Sequence, residues 1–162
     1  MKVWGLVLAA TLAVVAFGGA LASAQGGGQP GERTFSLLTQ VGGFRDFDVP
    51  PKTKRGPNGR VSAGDGYTAS WRVLSPSGAP TGVLHVQCVV IAPGRAPVQQ
   101  CHGTYLLRDG TIAYSLIFGG SADGEDRSII GGTGAYEGAR GSVRSRLLAG
   151  GKRTEETFHL LP

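Results

Sequence analysis

Residues 130–141 read Ile130-Gly131-Gly132-Thr133-Gly134-Ala135-Tyr136-Glu137-Gly138-Ala139-Arg140-Gly141. Whether this glycine run holds a phosphate or turns a strand decides the fold. A G-x-G-x-x-G loop starting at Gly132 needs glycine at 137, where Glu137 stands. A P-loop needs Gly-Lys-Ser/Thr, and no lysine follows. No helical pattern follows either, so there is no helix N-terminus to offer a phosphate. Nucleotide binding is rejected on these grounds. The structural reading fits instead: the glycines let the chain bend sharply and swing back into a strand, and Tyr136 packs down as a plug.

The flanking sequence reads as short strands between turn signals. Asp109-Gly110 is a strong hairpin turn from QQCHGTYLL (99–107) into TIAYSLIF (111–118). Upstream, RTFSLLTQV (33–41) alternates, with Phe35, Leu37 and Val41 on one face, and a long loop follows through Pro50 and Pro51 to Gly64. GYTASWRVL (66–74) places Tyr67, Ala69, Trp71 and Val73 on one face, and TGVLHVQCVVI (81–91) is nearly continuous and β-branched. Downstream come DRSII (126–130), SVRSRLLA (142–149) and RTEETFHLL (153–161). Glycine is 28 of 162 residues, which weighs against long helices, and it has no three-residue period, so collagen is excluded. The hydrophobic share of 41% is too high for a wholly disordered chain. Regular short strands with such turns indicate an all-β domain, either a sandwich or a closed barrel. Closure would remove the edge strands.

The N-terminus has a different character. Met1-Lys2 is followed by the uncharged run VWGLVLAATLAVVAFGGAL and then Ala22-Ser23-Ala24, the order of a secretory signal peptide. Residues 1–24 are read as that peptide, 25–32 (QGGGQPGE) as a flexible lead-in, and 33–162 as one domain. Cleavage would remove Lys2, take the net charge from +5 to +4 and leave no stable membrane span, so the expected localisation is secreted or in the cell envelope. An uncleaved membrane anchor is the competing reading. Lys52, Lys54, Arg55 and Arg60 form a basic Pro/Gly-rich stretch, read either as a solvated loop or as a patch for anionic surfaces. No aromatics interleave with these charges, which argues against nucleic acid as a partner.

Cys88 and Cys101 are the two cysteines. An exported chain meets an oxidising compartment, where a disulfide between neighbouring strands is the default. A single reactive thiol is the alternative. Neither cysteine has metal-ligand spacing, and His85, His102 and His159 do not cluster with them, so no metal site is expected.

GGTGAYEGARG resembles the motif shared by plant dirigent proteins, allene oxide cyclases and their bacterial relatives. Ser62-Ala63-Gly64-Asp65 resembles their S-x-G-D element, and CHGTYLLRDGTI (101–112) resembles the C-x-G-T…L-x-D-G-x-I hairpin of the bacterial members. Gly82 with the strand holding Cys88, and the terminal Phe158-His159-Leu160, agree as well. The resemblance implies an eight-stranded antiparallel barrel with a mostly apolar cavity. It also implies chemistry that steers reactive small molecules without a cofactor: epoxide cyclisation, phenoxy-radical coupling, polyketide ring closure. Gly131, Gly132, Gly134, Tyr136, Gly138 and Gly141 form its structural motif.

The catalytic residues transfer poorly. The plant cyclases use a glutamate on the first strand, where this chain offers Gln40 and no acid. Cys88 resembles the cyclase pocket cysteine, but a bond to Cys101 would consume its thiol. Asp65 and Arg140 remain as candidate catalytic side chains, against readings as a turn former and a solvated side chain. Tyr67, Trp71, Tyr105 and Tyr114 are candidate ligand-binding residues that could equally be plain core. Three functions follow: a barrel binding a small apolar or aromatic ligand, a cofactor-free isomerase or cyclase, and a non-catalytic envelope or interaction protein. The missing first-strand acid, the expected disulfide and export place the binding barrel slightly ahead. Ligand identity and oligomeric state are not legible.

Overall fold

The computed structural model describes residues 31–50, 61–119 and 126–162. The expected signal peptide and the basic stretch from Lys52 to Arg60 lie outside them. Eight strands, β1 (Arg33–Phe47), β2 (Gly66–Leu74), β3 (Pro80–Ala92), β4 (Val98–Leu107), β5 (Gly110–Phe118), β6 (Asp126–Gly134), β7 (Gly141–Leu147) and β8 (Thr154–Leu160), follow one another around a closed antiparallel barrel. β1 closes the ring against β8, with Phe35 opposite Phe158 and Leu37 opposite Glu156.

Two strands run further than their hydrophobic patterns suggest. β1 continues past Val41 to Phe47, because a bulge at Gly42 lets the pairing with β2 resume at Gly43 opposite Ser70. β6 continues past Ile130 to Gly134, because Ile130 is the extra residue between the pairs Tyr114–Ile129 and Ala113–Gly131. The first half of the glycine motif is therefore strand, and only its second half turns.

Gly134 makes that turn feasible. Its φ is +62°, and a Cβ there would lie 2.4 Å from the Asp109 carbonyl oxygen. The Ala135 amide donates to that carbonyl at 2.8 Å, and the Glu137 amide donates to the Gly134 carbonyl at 3.1 Å. The chain then delivers Tyr136, buried, to the end of the barrel where β1 begins and β8 ends. There it meets Phe35 at 6.1 Å between ring centroids.

Alternation sets the interior, since residues two apart on a strand share a face. Val73, Tyr105, Ile112, Val143 and Phe158 are wholly inaccessible. Phe158 stacks on Phe35 at 4.7 Å and meets Tyr105 edge-on at 4.9 Å. Each such side chain contributes about 1.5–3 kcal/mol by leaving water. Val41 shares the face of Phe35 and Leu37 but is 67% exposed. β8 pairs with β1 only as far as Thr39 opposite Thr154, and beyond that β1 is paired to β2 alone. Gln40–Phe47 thus runs on past the β8 seam as a flap carried on β2, whose residues there stay paired to β3.

Candidate functional site

The barrel interior holds an ion pair. Arg127 lies two residues before the buried Ile129 on β6, and Glu156 lies two before the buried Phe158 on β8, so both point inward. β7 stands between them, with Val143 opposite Arg127 and Ser145 opposite Glu156. Arg127 Nη1 donates to Glu156 Oε2 at 3.0 Å. Ser145 Oγ donates to the same oxygen, and Thr39 Oγ1 donates to Oε1 at 3.2 Å. Both carboxylate oxygens are thus engaged, by groups from β1, β6 and β7.

Two tyrosines complete the cluster. Arg127 Nη1 also donates to the Tyr105 hydroxyl at 3.4 Å, and its guanidinium lies 5.1 Å from the centroid of the Tyr114 ring. Tyr114 is held there by Gly103 opposite it. A Cβ at 103 would fall 2.2 Å from the Tyr114 ring, so only glycine leaves the space. Burial pushes the Tyr105 hydroxyl well above its ordinary range, with Glu156 adding to the effect. Burial takes Tyr114 up to about 12, against the opposing pull of Arg127. Burial alone would lower the Arg127 pKa, but Glu156 and the two tyrosines outweigh it and raise it. Both phenols are therefore neutral donors or acceptors near neutral pH, beside a permanent cation.

The cluster sits toward the flap end. Along β8, Phe158 stands between Glu156 and Leu160, and along β7, Val143 stands between Ser145 and Gly141. Above the cluster the inward faces stay apolar yet open to solvent. Val41 is opposite the half-buried Trp71, Phe44 is 61% exposed, and Leu147 on β7 is 54% exposed. Tyr67 is half-buried and stacks on Phe44 with centroids 4.8 Å apart and ring planes 26° apart. Its hydroxyl is pushed up by burial, against the lowering effect of Arg127. At the opposite end of the barrel an open pocket of about 320 Å³ is lined by Leu37, Thr81, Leu107, Arg108, Asp109 and Tyr136.

Among the residues singled out from sequence, Tyr105 and Tyr114 come together around Arg127, Tyr67 stands at the rim, and Trp71 packs against the core. Cys88 and Cys101 are directly opposed on β3 and β4 and form a buried disulfide, which removes the reactive-thiol alternative. Asp65 is buried in the turn before β2, where its carboxylate accepts the amides of Val49 at 2.9 Å and Ser62 at 2.8 Å. Those amides hold its pKa below the usual carboxylate value. Arg140 is exposed beyond the opposite end, donating to the Pro162 carbonyl. No three His, Cys, Asp or Glu side chains among the described residues are placed to hold a metal ion.

The sequence reading missed Arg127, Glu156, Ser145 and Thr39. The available signal was alternation: Arg127 is in phase with Ile129, and Glu156 with Phe158 and Leu160.

No protein-family model matches the chain, and no curated protein matches it. Solved structures do. A pyocyanin demethylase is 20% identical with a TM-score of 0.63, over 78% of this chain and 99% of that one. AbnU, an exo-specific intermolecular Diels-Alderase, is 12% identical with a TM-score of 0.59, over 80% and 97%. The Diels Alderase AbmU from Streptomyces koyangensis is 16% identical with a TM-score of 0.57, over 80% of this chain and 63% of that one. The protein is an eight-stranded antiparallel barrel that resembles several enzyme barrels acting on small molecules; at these identities the likeness speaks for the fold.

Proposed function

We propose that the barrel is a cofactor-free isomerase or cyclase, of the allene oxide cyclase and dirigent-like kind, acting on a small apolar substrate held at the flap end. One observation carries this reading: a charged cluster of Arg127, Glu156 and Tyr105 buried beneath an exposed apolar rim. Stability does not account for it. Replacing a buried ion pair with packed apolar residues is often neutral or favourable. Fixed donors and dipoles in a dry interior instead stabilise charge that develops during a reaction, and the rim holds a substrate in one conformation above them. The enzymes named among the similar folds support the same choice over the binding-only barrel that the sequence placed slightly ahead.

The assay follows from the chemistry. An intramolecular cyclisation or isomerisation changes chromatographic retention and leaves mass unchanged. Conjugated apolar compounds that alter the fluorescence of Trp71 are incubated with the protein and followed by liquid chromatography–mass spectrometry. Product from wild type and none from a folded Arg127→Met/Glu156→Met protein supports the reading. Equal conversion by both overturns the role of the cluster. We also propose export with cleavage after Ala24, on the Ala22-Ser23-Ala24 signature. Intact-mass measurement of secreted protein tests it, and a species still starting at Met1 rejects it.

A further inference from the structure

The cluster contains an acid and a base, and its geometry assigns them unequal parts. Glu156 has three donors on its two oxygens and its side chain is 3% exposed. A carboxylate so engaged is poorly placed to take a proton from a ligand. Arg127 is the one cation among the described buried residues, and 10% of its side chain stays accessible. Its bonds to Glu156 and Tyr105 both leave from Nη1, so a single nitrogen of the planar fork serves both internal partners. Glu156 anchors Arg127, and of the two buried charges the guanidinium is the more accessible.

The rim above it has its own chemistry. The Phe44–Tyr67 stack presents aromatic surface on the barrel-facing side of the flap, and Val41 and Leu147 add aliphatic surface around it. Flat conjugated rings fit such a platform, since offset stacking favours them beyond simple area burial. An oxygen projecting from the ring toward Arg127 would meet a charge-assisted donor.

We propose that Arg127, positioned by Glu156, is the ligand-contacting residue, and that the site takes flat conjugated molecules bearing a carbonyl or anionic oxygen. This rests on the reading of the flap end as the substrate site. A donor on that oxygen draws electron density from the conjugated system and stabilises negative charge building there, with no bond made to the protein.

Three probes of similar size separate the elements: 2-ethylnaphthalene, 2-acetonaphthone and 2-naphthoate, measured by equilibrium dialysis against the mature chain. Wild type should hold the two oxygen-bearing probes about tenfold more tightly than the hydrocarbon. Arg127→Met/Glu156→Met should flatten the series. Phe44→Ser should weaken all three alike. Glu156→Gln removes the neutralising charge but keeps an acceptor, so it should tighten 2-naphthoate, whereas an acid acting directly on the ligand would predict weakening. Equal binding of all three probes to wild type, or weaker naphthoate binding by Glu156→Gln, overturns the assignment to Arg127 and leaves the apolar rim standing. Binding of none of them to wild type rejects the rim as a ligand site as well.

Discussion

Glu156→Met should be among the most damaging single substitutions in the barrel, and its cost can be worked from the cluster. Methionine approximates the glutamate side chain in length but accepts nothing useful, so Arg127, Ser145 and Thr39 lose their shared partner. The dominant effect is an uncompensated buried guanidinium, about 3–5 kcal/mol for breaking a buried pair from one side. With an unfolding entropy of about 2.1 cal/mol/K per residue, a domain this size loses roughly 10–20 °C in Tm. Arg127→Met alone should cost a similar amount, because it strands the carboxylate. Arg127→Met/Glu156→Met removes both charges together and should return to within about 2 kcal/mol of wild type, since the desolvation cost disappears with the attraction. Urea unfolding of the four proteins, with the disulfide intact and m-values compared, gives the coupling energy directly. A Glu156→Met cost below about 1 kcal/mol, or a double variant as destabilised as the two singles summed, would refute the buried-pair reasoning.

Gly134→Val should lower stability by about 2–4 kcal/mol in thermal unfolding, because it forces a β-branched residue to φ +62° with its Cβ against the Asp109 carbonyl; wild-type stability would contradict that geometry. Reducing the Cys88–Cys101 bridge should cost about 3 kcal/mol in the chain-entropy model, and alkylation of unreduced, denatured protein should label no thiol. Asp65 has a folded pKa below its unfolded value, so its contribution is fully present above about pH 4–5, near the unfolded pKa, and is lost as pH falls through the folded value. Asp65→Asn should flatten the acid limb of a Tm–pH profile, and an unchanged limb would count against the two amide contacts.

Strand identity was legible because alternation and turn chemistry are local: Asp109-Gly110 turns where expected, and Cys88 and Cys101 fall into direct register across one connection. The ends of β1 and β6 were not legible, because each depends on a bulge, at Gly42 and at Ile130, that appears only when the partner strand is in place. The charged cluster was hidden for a different reason. Charged residues on a strand are ordinarily placed in water, and Arg127 and Glu156 stand 29 residues apart, so neither justifies burying the other until β7 brings them to one face. Their phase with Ile129 and Phe158 was the better guide than their charge.

The seam between β1 and β8 carries a consequence for how this molecule comes into being. Every other neighbour in the ring is also a neighbour in sequence, whereas Thr39 reaches Glu156 across 117 residues. Sequential hairpins form early and cheaply in entropy; the long closure comes late. Glu156 can meet Ser145 and Arg127 within the β6–β8 meander, but its second oxygen finds Thr39 only when the ring shuts. The last bond of the cluster and the last interface of the fold therefore form in one event, and a chain that stalls as an open sheet has an incomplete cluster. The ends of the domain adjoin at this seam, where a Cβ on Gly31 would lie 3.1 Å from Pro162. Joining them and opening the chain elsewhere would preserve every native strand pairing while moving the slow step to another part of the circle.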